Sequence, residues 1–388
     1  MSVNTMSFED ASTILNTIRT QVTGLDPIAI ENSADFVSVA TTLLQAGYDP
    51  VLESITQLIG RTIFSIRPYK RKFGGLQADS VRWGSIVRKL SISDKDFEKD
   101  VRFELEEGES VDMFRVNKPS ILSTNFYGQN VFSKSYTIFK DQLDNAFRSP
   151  DEFGRFMSMV TTNIADMIEQ IHEGIARMTI GNFVGGKISA NNSVIHLLTE
   201  YNAATGASLT STTVYSPDNF SDFVKWMYAR VASLTALMTE RSVKYQINVT
   251  GKEISRHTPY EFQKVYLYNP LLQEMNARVL ADTFHDTFIR YADVEAVNYW
   301  QSIDSPNELK VQPNYTDESG NIVNGEEVDI DNFVGVIFDR DAIGYTTVHN
   351  WSSTTPFNSK GGYWNVFHHF TEKWWNDFTE KGIILLMD

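Results

Sequence analysis

The sequence predicts an α+β fold, and three observations carry that prediction. Residues 150–180 have the apolar spacing of one long helix. Residues 334–388 read as closing strands and hold Trp351, Trp364, Trp374 and Trp375, four of the seven tryptophans. Between them, residues 183–330 mix helical and strand-like segments. With 388 residues and 42% hydrophobic content, the chain can bury a substantial core and form more than one domain.

Residues 1–60 read as short helices broken by turns. Phe36, Val39, Ala40, Leu43 and Leu44 recur at helical spacing until Gly47. Pro50 starts a second piece with Leu52, Ile55, Leu58 and Ile59, stopped by Gly60. Neither piece is long enough to be a domain, so both are expected to pack on something else as an arm.

Residues 61–118 segregate their charges. Arg61, Arg67, Lys70, Arg71, Lys72, Arg82, Arg88 and Lys89 come first, followed by acids including Glu104, Glu106, Glu107, Glu109 and Asp112. Residues 101–106 alternate as a strand would. A long, exposed, two-stranded excursion fits, and such a ribbon needs a neighbour's support. An ordinary solvated hairpin also fits mixed surface charge.

The long helix is marked at its start by Ser149 as N-cap, Pro150 at N1 and Glu152 at N3, a capping box. Its stripe runs through Phe153, Phe156, Met157, Val160, Ile164, Met167, Ile168, Ile171, Ile175 and Met178, and Gly181 is expected to end it. At 1.5 Å per residue the rod is roughly 45 Å long. Pro217 opens a helix with Phe220, Phe223, Val224, Met227, Val231, Leu234, Leu237 and Met238 on its apolar side. Asn269-Pro270 opens another, and residues 245–249 suggest a strand between them. Ser319-Gly320-Asn321 and Asn324-Gly325 are turn signals that predict a hairpin within 307–331.

In the last segment, alternation puts Tyr363, Asn365, Phe367 and His369 on one face and Trp364, Val366, His368 and Phe370 on the other. Both sets are bulky, so both faces of that strand are expected to be covered, one by the long helix and the other by its own domain or the next subunit. The residues 383–387 form an apolar strand expected to lie within a sheet.

Composition and motifs exclude more than they assign. There is no cysteine, hence no disulfide and no thiolate metal site. Residues 1–20 lack the basic and apolar regions of a secretory signal, and no apolar run nears the roughly 20 residues of a membrane span. The expected setting is cytosolic, with no membrane. A net charge of -15 is the wrong sign for tight nucleic-acid binding. The run from Gly181 to Ile188 nearly spells a phosphate loop, but Ile188 stands where a magnesium-binding hydroxyl belongs, and a helix precedes it. It reads better as a glycine-rich exit from the helix. A calcium loop starting at Asp317 fails at Ile322 and Val328. His368 and His369 point to opposite faces, and His172-Glu173 lacks the second histidine of a zinc-protease helix. No catalytic, metal-binding or cofactor-binding residue is assigned, and no cofactor is expected.

The order of elements is itself specific: an arm, a charged hairpin, a long capped helix, a mixed insert, then closing strands. It resembles the tailed-bacteriophage major capsid proteins of HK97-like fold, in particular the capsid proteins of phi29-like podophages. Two stretches carry the resemblance. One runs from Asn145-Ala-Phe-Arg-Ser149 through the helix to Gly181-Asn182. The other comprises Val336 to Tyr345, Asn358 to Asn365 with its Tyr363-Trp364-Asn365 cluster, and Asn376-Asp377. Relatives can carry an extra immunoglobulin-like C-terminal domain, for which a chain ending at Asp388 leaves no room.

The resemblance implies an N-terminal arm over 1–60, an extended loop (E-loop) over 61–122 and a peripheral domain with its spine helix over 123–185. An axial domain then covers 186–332, and residues 333–388 return to the peripheral and axial sheet. It implies a structural protein, not an enzyme, that self-assembles into hexamers and pentamers of an icosahedral head. Scaffolding and portal proteins are the further partners, and double-stranded DNA is enclosed without being read. Arg67, Lys70, Arg71, Lys72, Glu106, Glu107 and Glu109 are the expected inter-subunit contacts. Two other readings stay open: an encapsulin-like compartment shell, and an aromatic-rich ligand-binding protein. Aromatic clusters serve more often as core or interface than as ligand sites.

Overall fold

Polar caps and glycine stops cut the first part of the chain into three helices: α1 (Phe8–Thr23), α2 (Ser33–Ala46) and α3 (Tyr48–Ile59). Ser7 accepts from the Asp10 amide, and Asn32 from the amides of Ala34 and Asp35. Gly24, at φ 70°, ends α1 in the left-handed region. The computed structural model describes residues 6–59, 72–78, 87–92, 104–114, 116, 121–126, 129–190, 193–275 and 293–388.

Strands β1 (Val87–Ile92) and β2 (Ile121–Phe126) pair antiparallel as a separate ribbon. Then come β3 (Gln129–Phe139), α4 (Lys140–Ala146) and α5 (Pro150–Ser189). The predicted strand over 101–106 is not found in its described part. Residues 104–106 are irregular and exposed, with Leu105 facing no core; Val101 to Phe103 lie outside the described residues.

Helix α5 is the organising element. Its 40 residues span about 60 Å at 1.5 Å per residue. Ser149 caps it by accepting from the Glu152 amide at 3.2 Å. The return half of the expected capping box is replaced by a contact of the Glu152 carboxylate with Arg155 at 3.4 Å. The helix does not end at Gly181, and 181–188 is not a loop. A Cβ on Gly185 would meet Val311 at 2.7 Å, and one on Gly186 would meet the Phe378 ring at 2.5 Å. These glycines admit close neighbours, which outweighs their helix cost of about 1 kcal/mol each.

The insert contributes β4 (Val194–His196), α6 (Leu197–Thr205), α7 (Pro217–Thr239), β5 (Gln263–Tyr268), α8 (Asn269–Met275) and β6 (Asp293–Val297). The helices opened by Pro217 and Asn269 form as expected. The expected strand at 245–249 does not. Tyr245 has φ 65°, and the Ile247 amide is taken by the Phe378 carbonyl at 2.9 Å. Next are β7 (Leu309–Val311), β8 (Asn314–Thr316), β9 (Ile322–Asn324) and β10 (Val328–Ile330). β8 and β9 form the predicted hairpin, its turn held by Asp317 accepting from Ser319 and Asn321. The chain closes with β11 (Phe333–Asp339), β12 (Ile343–Thr354), β13 (Tyr363–Asn376) and β14 (Gly382–Leu386).

Two sheets result. The larger has the order β4-β14-β11-β5-β6. Its alternation divides two cores. Val336, Phe338, Ile384 and Leu386 join Ile175, Ile180, Phe183 and Val184 of α5. Val334, Ile337, Ile383 and Leu385 join Phe220, Phe223, Met227 and Leu234 of α7. The smaller sheet, β12-β13-β3, packs with α1–α3 on the N-terminal half of α5. There Trp364 and Val366 meet Phe36, Leu43, Leu52, Phe153 and Met157. The arm thus packs on the chain's own long helix.

Candidate assembly interface

Within the chain itself, one face of β13 is covered more fully than the other from Tyr363 to Thr371. From Tyr363 to Phe370 buried and half-buried positions alternate strictly, with Trp364, Val366, His368 and Phe370 inside. The helices that pack on this sheet supply cover for one side only. Register places the other side: His349, Trp351 and Ser353 beside Thr371, His369 and Phe367, and Val131, Ser133, Ser135, Thr137 and Phe139 beyond. No Asp, Glu, Lys or Arg stands among these positions. Trp351, 49% exposed, stacks on His369 with ring centroids 4.1 Å apart. His368 lies on the inner face, bonded to Ser352 at 2.5 Å and stacked on Tyr136. Burial, with His369 adding to it, lowers its imidazole below the ordinary value.

A second open surface is the loop between β1 and β2. Residues 104–114 and 116 are all exposed. They include the candidate contacts Glu106, Glu107 and Glu109 and the bare apolar side chains Val111, Met113, Phe114 and Val116, at 56, 81, 79 and 76% exposure. Monomeric proteins rarely leave such apolar groups together in water. Lys72 is exposed beside buried Phe73. Arg67, Lys70 and Arg71 lie outside the described residues. Among the described residues no ion pair joins Lys72 to the three glutamates.

What sequence reasoning missed is the polar junction between the sheets, at residues 376–381. Lys89 of β1 reaches Asp377 at 2.8 Å and also pairs with Glu380. Arg256 pairs with Glu380 at 2.6 Å. Burial pulls the Lys89 amine down, but Asp377 and Glu380 outweigh it and hold it above its usual value. For Asp377 burial works upward, and Lys89 outweighs it, leaving the carboxyl below its usual range. For Glu380 burial wins, leaving it raised. Lys187, the lysine of the near-miss phosphate loop, is wholly buried. It donates to the carbonyls of Tyr245, Phe378 and Glu380 at 3.0, 3.3 and 3.2 Å. Burial lowers its amine to about 7. It closes a turn and binds no phosphate. Only a charge standing on an apolar helix face hinted at this role.

No group of His, Asp or Glu among the described residues could hold a metal ion, and no described helix is long and apolar enough to cross a membrane. Sheets packed on one long helix, with open uncharged and apolar surfaces, offer a geometry for contact.

Known proteins agree. The solved capsid of Staphylococcus phage Andhra contains a similar chain, with TM-score 0.53 at 12% identity, covering 84% of this chain and 86% of that one. A chain in a structure of the head fibre and inner core protein of bacteriophage P68 matches with TM-score 0.53 at 13% identity, over 83% and 86%. No curated protein matches. The family described as Phi29-like phage major capsid protein matches over residues 12–377. The fold is therefore the HK97-like capsid fold, and this chain belongs to the phi29-like phage major capsid protein family, with the structural, non-enzymatic role of a major capsid protein in a phage head.

Proposed function

We propose that copies of this chain meet through the β1–β2 hairpin and its loop to form the hexamers and pentamers of an icosahedral head. The observation that carries this reading is the exposure of Val111, Met113, Phe114 and Val116 in the loop between β1 and β2, at 56, 81, 79 and 76%. Its acids, Glu106, Glu107 and Glu109, suit a basic partner, and Arg67, Lys70, Arg71 and Lys72 supply one on the next copy. Paired charge of this kind sets register and partner choice more than raw affinity. Each contact then buries about 1,200 to 2,000 Å² without being individually tight.

In this reading residues 1–60 are the arm, 61–122 the extended loop, 123–185 the peripheral domain, 186–332 the axial domain, and 333–388 the return strands. Assembly takes place in the host cytoplasm with scaffolding and portal proteins. The net charge of -15 suits a shell that encloses double-stranded DNA without gripping it.

The test is assembly of the purified full chain, followed by sedimentation and negative-stain microscopy across salt concentrations. Shells, sheets or ring-shaped capsomers are expected. Changing Arg67, Lys70, Arg71 and Lys72 together to Glu is expected to weaken assembly and flatten its salt dependence. An unchanged salt profile in that variant would sink the charge pairing. A monomer under every condition would sink the assembly reading.

A further inference from the structure

The β1–β2 ribbon has partial apolar support on β2, where half-buried Leu122 and Phe126 line a cavity with Trp374, Trp375 and Phe378, and little on β1. Leu90 and Ile92 are each 65% exposed, and Ile121 is 53% exposed. Two strands alone do not hold a fixed direction in water. What grips β1 is polar. Lys89 and Ser91 project from the same face of β1, two residues apart. Lys89 ties to Asp377 and Glu380, while Ser91 accepts from Arg256 at 3.1 Å. The Arg256 guanidinium also holds Glu380 at 2.6 Å and Thr379 at 3.2 Å.

The anchoring turn is held by hydrogen bonds that do not involve the ribbon. Asp377 accepts from the Thr379 amide and hydroxyl at 3.0 and 2.6 Å. Lys187 holds the Phe378 and Glu380 carbonyls from below. Lys381 donates to the Glu240 carbonyl at 2.6 Å. Asp377 is 1% exposed and Glu380 6%. Their attraction to Lys89 is screened far less than a surface pair's. A soft ribbon is therefore bolted at its base to the point where β13 passes into β14.

We infer that Lys89 and Arg256 are positioning residues for assembly: through Asp377 and Glu380 they set the direction in which the β1–β2 ribbon leaves the body, and so aim its loop at the neighbouring copy. The first half stands on this chain alone. The second half rests on the assembly reading proposed above.

Hydrogen exchange read by mass spectrometry on the full chain tests the first half. In Lys89→Met, which keeps the aliphatic stem, amides of β1 and β2 are expected to exchange at least tenfold faster. Those of β11 and β14 should hold their wild-type rates, and Lys89→Arg should restore the ribbon. Unchanged ribbon exchange in Lys89→Met overturns the inference. So does an equal rise in β11 and β14, which would make Lys89 a general stability residue. Light scattering at concentrations where wild type assembles tests the second half: Lys89→Met should assemble at least severalfold more slowly, and Lys89→Arg normally. Wild-type assembly with a loosened ribbon would overturn that half. Should wild type itself never assemble, the proposed function fails while the exchange data still decide the anchor.

Discussion

The two sheets draw strands from the same C-terminal stretch, yet they are covered differently. β11 and β14 of the five-stranded sheet are buried at every position and face helices on both sides. β13 of the three-stranded sheet is longer and more aromatic, but from Tyr363 to Thr371 it is buried on one side only. The difference separates two tasks. The first sheet fixes the body, with α5 on one face and α7 on the other. The second presents an uncharged, half-open aromatic face over residues 363–371 of β13 and their partners in β12 and β3. Uncharged aromatic surface is characteristic of interface cores. Strand hydrophobicity therefore does not by itself say that a strand is internal to one chain.

That contrast can be broken at graded sites. The largest effect is expected in the doubly covered sheet. Phe338→Ala removes a ring that packs on Tyr266 and Phe183, and should lower unfolding stability by about 3–5 kcal/mol in denaturant titration. A comparable loss in Trp351→Ser would erase the distinction between the sheets.

At the junction between them, Lys187→Met removes a donor from three buried carbonyls, of which those of Tyr245 and Phe378 keep the Gly382 and Ile247 amides and that of Glu380 loses its partner. A loss of about 2–4 kcal/mol is expected in the same titration. Lys187 also predicts a pH effect of definite sign. Its native amine titrates at about 7, well below the unfolded value, so the unfolded chain binds more protons between the two. Stability should rise with pH above 7 for wild type, and this rise should vanish in Lys187→Met.

Within α5 the glycines sharpen the comparison. Gly186→Ala forces a methyl against Phe378 and should cost about 1–3 kcal/mol. Gly174→Ala, in the same helix with open space around it, should stabilise by about 0.5–1 kcal/mol. Thermal melting of the two variants should shift in opposite directions.

On the inner face of the three-stranded sheet, His368 has its imidazole lowered, chiefly by burial. Its contribution is complete above the ordinary value of about 6.5 and declines as pH falls through that value. Melting temperatures of wild type and His368→Gln between pH 7 and 5 should show the smaller acid loss in the variant. The smallest folding effect belongs to the outer face. Trp351→Ser should change stability by about 0.5 kcal/mol or less while reducing assembly measured by light scattering.

Much of this was legible locally. Ser149, Pro150 and the apolar stripe marked the start and face of α5; Pro217 marked α7; the 319–325 turn signals marked the β8–β9 hairpin. Caps, fixed φ and side-chain periodicity act within a few residues, so the sequence carries them directly. The resemblance to capsid proteins rested on the order of such elements and survived for the same reason.

Only the tertiary structure decided where α5 ends, which face of β13 is covered, and where the lysines go. Gly181, Gly185 and Gly186 looked like a stop because their respective neighbours Leu309, Val311 and Phe378 lie more than a hundred residues away in sequence. Lys89 looked like surface charge because its partners Asp377 and Glu380 are 288 and 291 residues distant. Lys187 looked like part of a loop until three remote carbonyls gave it a place in the core. Burial and pairing are properties of what surrounds a side chain, and the sequence by itself fixes only what each residue can offer to those surroundings.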